Sequence, residues 1–216
     1  MSTSILTHIP AGPVTIEGML EIPERAVGLV LFAHGSGSSR LSPRNNYVAG
    51  VLRQAGIGTL LMDLLTTAED RDYERRFDIA LLTQRLLDAA RWVVSQPATC
   101  ELPLGFFGAS TGAAAALEAA AMLGPDAKAV VSRGGRPDLA SREALSTVTA
   151  PTLLLVGGLD DVVIELNQQA YARLRCEKEL VIVPGATHLF EEPGTLEKVA
   201  HQAAAWFAKH LPAKTI

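Results

Sequence analysis

The stretch Gly108-Ala109-Ser110-Thr111-Gly112 sets a serine between two glycines in a GxSxG pattern. A serine hydroxyl is a poor nucleophile until a base removes its proton. The pattern can do that chemistry on a sharp strand-to-helix turn, which pushes the hydroxyl out of the backbone. The flanks supply the turn: Leu104 to Phe107 is a short apolar run, and Ala113 to Leu123 is an alanine-rich stretch that reads as helix. Glycines suit positions 108 and 112 because a side chain there would meet the neighbouring strand or the following helix. The helix N-terminus behind the turn offers free N–H groups and a partial positive charge to a developing anion.

The base must titrate near neutrality, so it must be a histidine. Of five histidines, His8 lies in the N-terminal tail and His201 and His210 lie on the last helix. His34 ends a strand and opens a glycine-rich loop. His188 follows the last strand in Pro-Gly-Ala-Thr-His-Leu-Phe, where its ring can swing over the sheet edge, and it is the candidate base. A carboxylate must hold its tautomer. In a parallel sheet with this turn, the chain order is Ser, acid, His. Asp160 and Asp161 follow the strand Thr152 to Val156, and Asp160 is preferred as the nearer to the strand end. Asp63 has the wrong order, and Glu191 and Glu192 read as the start of the last helix.

An oxyanion needs two N–H donors. Thr111, the residue after the serine, is one. The loop His34 to Ser39 supplies the other, with Ser36 preferred and Gly35 next. That loop has no Walker lysine and no GxGxxG, so a phosphate cradle fits it poorly. Arg133 follows a strand directly, and Arg40 and Arg136 lie in neighbouring loops. Together they could bind a carboxylate or phosphate on a substrate. The competing reading is pairing with Asp138 or helix carbonyls, or solvation.

These residues need a scaffold. With 216 residues and 48% hydrophobic content, the chain is long enough and apolar enough to bury a sizeable core, and is read as one domain over residues 1–216. Buried strands are expected at 27–33, 57–62, 104–107, 129–132, 152–156 and 179–183, with 15–22 as an edge strand. Helices are expected at 46–55, 77–95, 113–123, within 138–146, 163–174 and 195–210, and 64–76 reads as a mobile loop. Strand and helix alternate to the end, which predicts an α/β fold: a doubly wound, mostly parallel sheet with helices on both faces. In such sheets function gathers at the carboxyl ends of the strands, where all the candidates lie.

A net charge of −4 argues against nucleic-acid binding, and no stretch reads as a membrane span. Cys100 and Cys176 read as unpaired thiols in a reducing compartment, and Met1 to Pro10 lacks the features of a secretory signal. The expectation is a cytoplasmic protein, monomer or homodimer, without metal or organic cofactor.

HGSGSS at residue 34, GASTG at 108, VGGLDD at 156 and PGATHLFEEPG at 184 together resemble the α/β-hydrolase superfamily over nearly the whole length. The short chain, with no large lid, looks like the dienelactone-hydrolase-related group. That resemblance implies Ser110 as nucleophile, Asp160 as acid and His188 as base. Dienelactone hydrolases proper carry cysteine at the nucleophile position, whereas this chain has Ser110. The implied activity is therefore hydrolysis of a small carboxylic ester or lactone through an acyl-enzyme. The alternatives are an acyltransferase or perhydrolase using the same residues, and a non-catalytic binding module.

Overall fold

A computed structural model describes residues 3–211. Its centre is an eight-stranded sheet in the order β1-β2-β4-β3-β5-β6-β7-β8. Strands β3 (Leu29–Ala33), β4 (Gly58–Met62), β5 (Leu104–Ala109), β6 (Ala127–Arg133), β7 (Thr152–Gly157) and β8 (Lys178–Val183) run parallel. The hairpin of β1 (Thr3–Ala11) and β2 (Val14–Ile22) adds an antiparallel end beside β4. Every residue of β3, β4, β5 and β7 is buried, which is why these strands are continuous apolar runs rather than alternating ones.

Helices α1 (Pro43–Gln54) and α6 (Thr195–His210) pack on one face, where Phe32, Phe107, Val131 and Leu155 point. The other face carries α2 (Ile79–Ser95), α3 (Thr111–Leu123), α4 (Arg142–Thr147) and α5 (Asp161–Arg173) over Leu31, Phe106, Val130 and Leu154. Each fully buried Leu or Phe here contributes about 1.5–3 kcal/mol. The stripe Ala113 to Ala116 lets α3 lie close against the sheet, which brings its N-terminus up to the strand ends. Strand β3 lies between β4 and β5, so the connections leaving β3 and β4 run to opposite sides. The exits of β3 and β5 therefore flank the switch point, where an open α/β sheet leaves a crevice.

The parallel core matches expectation, and several outlying readings do not. Residues 3–11 form a strand, not a tail, and this makes β2 an interior strand rather than an edge. Exposed Ile5 and Leu6 blur the alternation of β1, and Pro10 is tolerated because β1 is the outermost strand. The helix expected from 46 begins at Pro43, because the Ser42 side chain accepts the Asn45 N–H at 3.3 Å and proline suits the first turn. The segment expected to be a mobile loop contains two short 3-10 turns, Glu69–Arg71 and Glu74–Phe77, with Leu64 and Leu65 buried. The Arg85 guanidinium on α2 donates to Glu69 at 2.8 Å and to the Ala11 carbonyl, which fastens that segment to the hairpin. Glu191 and Glu192 precede α6 instead of opening it. Among the described residues no helix is long and apolar enough to cross a membrane.

Candidate active site

Strand β5 delivers Ser110 to the crevice, and α3 begins at the next residue. Ser110 has φ 51° and ψ −121°, a left-sided backbone that a serine adopts only when its surroundings impose it. The flanking glycines explain the imposition. A Cβ on Gly108 would lie 2.4 Å from Ala113 Cα, inside the following helix. A Cβ on Gly112 would lie 2.1 Å from the Ala33 carbonyl oxygen, inside the neighbouring strand. The turn is held by the Ser110 N–H, which donates to Arg133 O at 3.3 Å, and by Ser110 O, which accepts the Arg136 N–H at 3.0 Å.

His188 and Asp160 come together across two strand exits. The His188 Nδ1 donates to Asp160 Oδ2 at 2.6 Å, and Asp160 is the less exposed partner. Asp160 is the residue before α5, yet its side chain makes no cap hydrogen bond and is given to the imidazole instead. Asp161 is exposed on the first turn of α5. With Nδ1 occupied, Nε2 is the ring nitrogen left for a substrate or nucleophile. The ring lies against the exit of β6: a Cβ on Gly134 would be 3.6 Å from His188 Cε1. Ser110 and His188 thus flank the same Arg133–Gly134 backbone. The Ser110 hydroxyl has no hydrogen-bond partner among the described residues, and an open nucleophile–base contact is common before substrate binds.

The turn bearing His188 is built from residues not singled out in the sequence. Glu192 accepts the Thr187 N–H at 3.0 Å and the Thr187 hydroxyl at 2.6 Å. Those hydrogen bonds hold the Glu192 carboxyl below its ordinary range. Glu191 accepts from Arg44 on α1 at 2.9 Å. Phe190 is fully buried with φ 57°, so the loop is pinned into the core by a strained aromatic residue two positions after the imidazole. Their spacing matches no local motif, because each acts through a turn closed by tertiary packing.

Ser36 and Thr111 meet beside Ser110. A Cβ on Gly35 would be 3.0 Å from Ser110 Cβ, so the β3 exit loop abuts the serine. The Ser36 N–H has no acceptor among the described residues, and Gly37, at φ 67°, turns the loop so that the Ser38 N–H closes on Gly35 O. Thr111 opens α3, where helix N–H groups lack internal acceptors. A cavity of about 10 Å³, lined by Gly35, Ser36, Gly37 and Thr111 among others, lies at this junction. His34 has a different task. Its Nδ1 donates to Gly35 O at 2.9 Å and its Nε2 accepts the Leu64 N–H at 3.1 Å, so both nitrogens are used. Burial holds it below the ordinary imidazole range, and it braces the loop as a neutral ring.

The three arginines part company. Arg40 donates from its backbone to Asp63 at 2.7 Å, and its guanidinium pairs with Asp63 and Glu17. Arg136 makes a two-point pair with Asp138, both contacts at 2.8 Å. Both guanidiniums are held in ion pairs within the chain, the competing reading that the sequence offered for Arg136. Arg133, the third, is buried and has no ion-pair partner among the described residues.

No family model matches the chain. The structure superposes on a dienelactone hydrolase from Anabaena variabilis with a TM-score of 0.93 and 54% identity, over 97% of this chain and 98% of that one. Est1E from Butyrivibrio proteoclasticus (TM-score 0.81, 16% identity, 95% and 98% covered) shares the fold. So does the esterase domain of a Rhodothermus marinus protein (0.79, 18%, 97% and 99%). By sequence, the chain is 59% identical over 204 residues to Mycobacterium tuberculosis proteins named provisionally as phosphoribosyl transferases. The match covers 94% of this chain and 46% of theirs, so it spans less than half the length of these curated relatives. The identity and near-complete mutual coverage with the Anabaena protein show that the chain belongs to the dienelactone-hydrolase-related group of the α/β-hydrolase superfamily.

Proposed function

We propose that this chain is a serine hydrolase of small carboxylic esters or lactones. The observation that carries the reading is the Ser110 backbone, held in a strained turn at the head of α3 and facing the same β6 exit as a histidine already tied to a carboxylate. Strain of that kind persists only where surrounding structure over-determines it, and it collects at working sites.

In this reading, His188 Nε2 takes the Ser110 proton while Asp160 stabilises the imidazolium through Nδ1. The Ser110 alkoxide attacks the ester carbonyl, and the N–H groups of Thr111 and Ser36 hold the oxyanion. The tetrahedral intermediate collapses, the C–O bond to the alcohol breaks, and His188 returns the proton to the leaving oxygen. A water molecule, deprotonated by His188, then cleaves the acyl-enzyme to the acid and free Ser110. The transferase name of the M. tuberculosis proteins belongs to chains about twice as long. The Gly-rich loops of this chain are occupied by the elbow and the oxyanion loop, so we assign hydrolysis to the matched half.

A fluorophosphonate probe tests the mechanism. Folded protein should be labelled at Ser110, Ser110→Ala protein should not, and a panel of 4-nitrophenyl esters should be turned over by the unsubstituted chain only. Absence of labelling in folded protein would favour a binding module. Turnover in which added alcohols or peroxide outcompete water would favour the acyltransferase or perhydrolase.

A further inference from the structure

Asn167 sits about two turns along α5 from Asp160 and is wholly buried. Its Nδ2 donates to Val163 O on its own helix at 2.8 Å, and across to Gly135 O, beyond the end of β6, at 3.0 Å. Two carbonyl oxygens on one side fix the amide's orientation, because only its NH2 can face them. Its Oδ1 is sealed from solvent with no hydrogen-bond partner among the described residues. A buried amide with an unpaired oxygen is less favourable than a leucine of similar size. Close packing alone therefore does not account for an asparagine here.

The carbonyl it grips belongs to the loop behind the nucleophile. On either side of Gly135, Arg133 O accepts the Ser110 N–H and the Arg136 N–H donates to Ser110 O. A Cβ on Gly135 would lie 2.0 Å from Ser132 Oγ and 2.5 Å from Ala113 Cβ, so this loop is pressed against the first turn of α3. Asp160 and His188 belong to a different body, the exits of β7 and β8. There the Leu159 N–H donates to Ala186 O at 2.9 Å and the Gly158 N–H to Val183 O at 2.8 Å. Among the described residues, the Asn167 amide makes the one side-chain hydrogen bond between residues 104–147, which carry the serine, and 152–192, which carry the acid and the base. We propose that Asn167 is a positioning residue: it clamps the helix that begins beside Asp160 to the loop behind Ser110, and so sets the reach from His188 Nε2 to the Ser110 hydroxyl. This rests on the hydrolase reading and adds to it the part that holds its two halves in register.

Asn167→Leu tests it by keeping the volume and removing the donor, with Arg85→Met as a destabilised control far from the site. Two measurements are compared, and one of them does not depend on turnover. Hydrogen exchange of the backbone over residues 133–137 should quicken by roughly ten-fold or more in Asn167→Leu and stay unchanged in Arg85→Met. With 4-nitrophenyl acetate, kcat per fluorophosphonate-labelled site should fall by roughly ten-fold or more in Asn167→Leu, with KM within about two-fold of the unsubstituted value. Arg85→Met should keep its kcat per labelled site whatever its thermal midpoint. Asn167→Asp, which keeps the shape and replaces the donating NH2 by an oxygen, serves the same comparison if the leucine variant does not fold. Unchanged exchange overturns the clamp. Quickened exchange with kcat per labelled site unchanged overturns the positioning role, and so does a loss that Arg85→Met reproduces. Failure of the unsubstituted protein to label or turn over esters, with exchange quickened in Asn167→Leu, would instead overturn the hydrolase reading.

Discussion

Arg85 and Arg133 are both buried arginines, on opposite faces of the sheet and in opposite circumstances. Arg85, 4% exposed under α2, reaches Glu69 and the Ala11 carbonyl and so joins a helix, a turn segment and a hairpin. Arg133, 8% exposed under α1, reaches neither a carboxylate nor a carbonyl among the described residues. The contrast extends to their neighbourhoods. Around Arg85 most charges are matched, although its own Nε has no partner among the described residues: Glu69 accepts the Thr66 N–H and Arg76 donates to the Asp70 carbonyl. Around Arg133 lie a strained serine and a strained phenylalanine. Matched buried charge fastens a fold, whereas polar capacity left open at strand ends is what a ligand can use.

The largest expected effect lies on the open side. Ser110→Ala should lower ester turnover by roughly 10⁴-fold or more while the protein stays folded. A residual rate within ten-fold of the unsubstituted enzyme would remove Ser110 from the chemistry. Next comes the frame of that side. Gly112→Ala places a Cβ against the Ala33 carbonyl, with backbone on both sides of the clash. It should destabilise by roughly 3 kcal/mol or more, read by denaturant unfolding, and an unchanged midpoint would show that the elbow is slack.

On the matched side, Arg85→Met removes the buried contacts to Glu69 and the Ala11 carbonyl and should cost about 3 kcal/mol, whereas Arg133→Met should cost nothing. Equal losses in the two variants would erase the comparison. The smallest effect is one of pH. Burial pushes the Glu69 carboxyl up, but hydrogen bonds from Thr66 and the charge of Arg85 outweigh it and hold the group below its ordinary range. Its folded value is thus the lower one. The stability it contributes is present above the unfolded value, about 4.3, and is lost as pH falls through the folded value. Thermal midpoints measured from pH 6 down to 3 should drop less steeply in Glu69→Gln than in the unsubstituted protein.

Much of this was legible in local sequence, and the rest for identifiable reasons was not. GASTG announced its turn because the glycines, the preceding apolar run and the alanine stretch are contiguous. Asp160 and His188, expected together because chain order restricts which strand exits can serve, do hydrogen-bond to each other. Strand β1 escaped because its pattern makes sense only once β2 covers one side and α2 the other. Glu192 read as a helix residue because nothing local shows it folding back onto Thr187. Arg133 stood apart from Arg40 and Arg136 only by following its strand directly, and nothing local showed which of the three is ion-paired.

The sequence by itself determined the alternation of strand and helix, the parallel core and the short list of residues able to do chemistry, because apolar periodicity and turn chemistry are properties of neighbours in the chain. Only the tertiary structure decided which arginine lacks a counter-charge among the described residues and which N–H groups stay open. Partnership between charges depends on distance and burial across segments far apart in sequence, from Asp63 to Arg40 and from Glu191 to Arg44, and no local pattern encodes it.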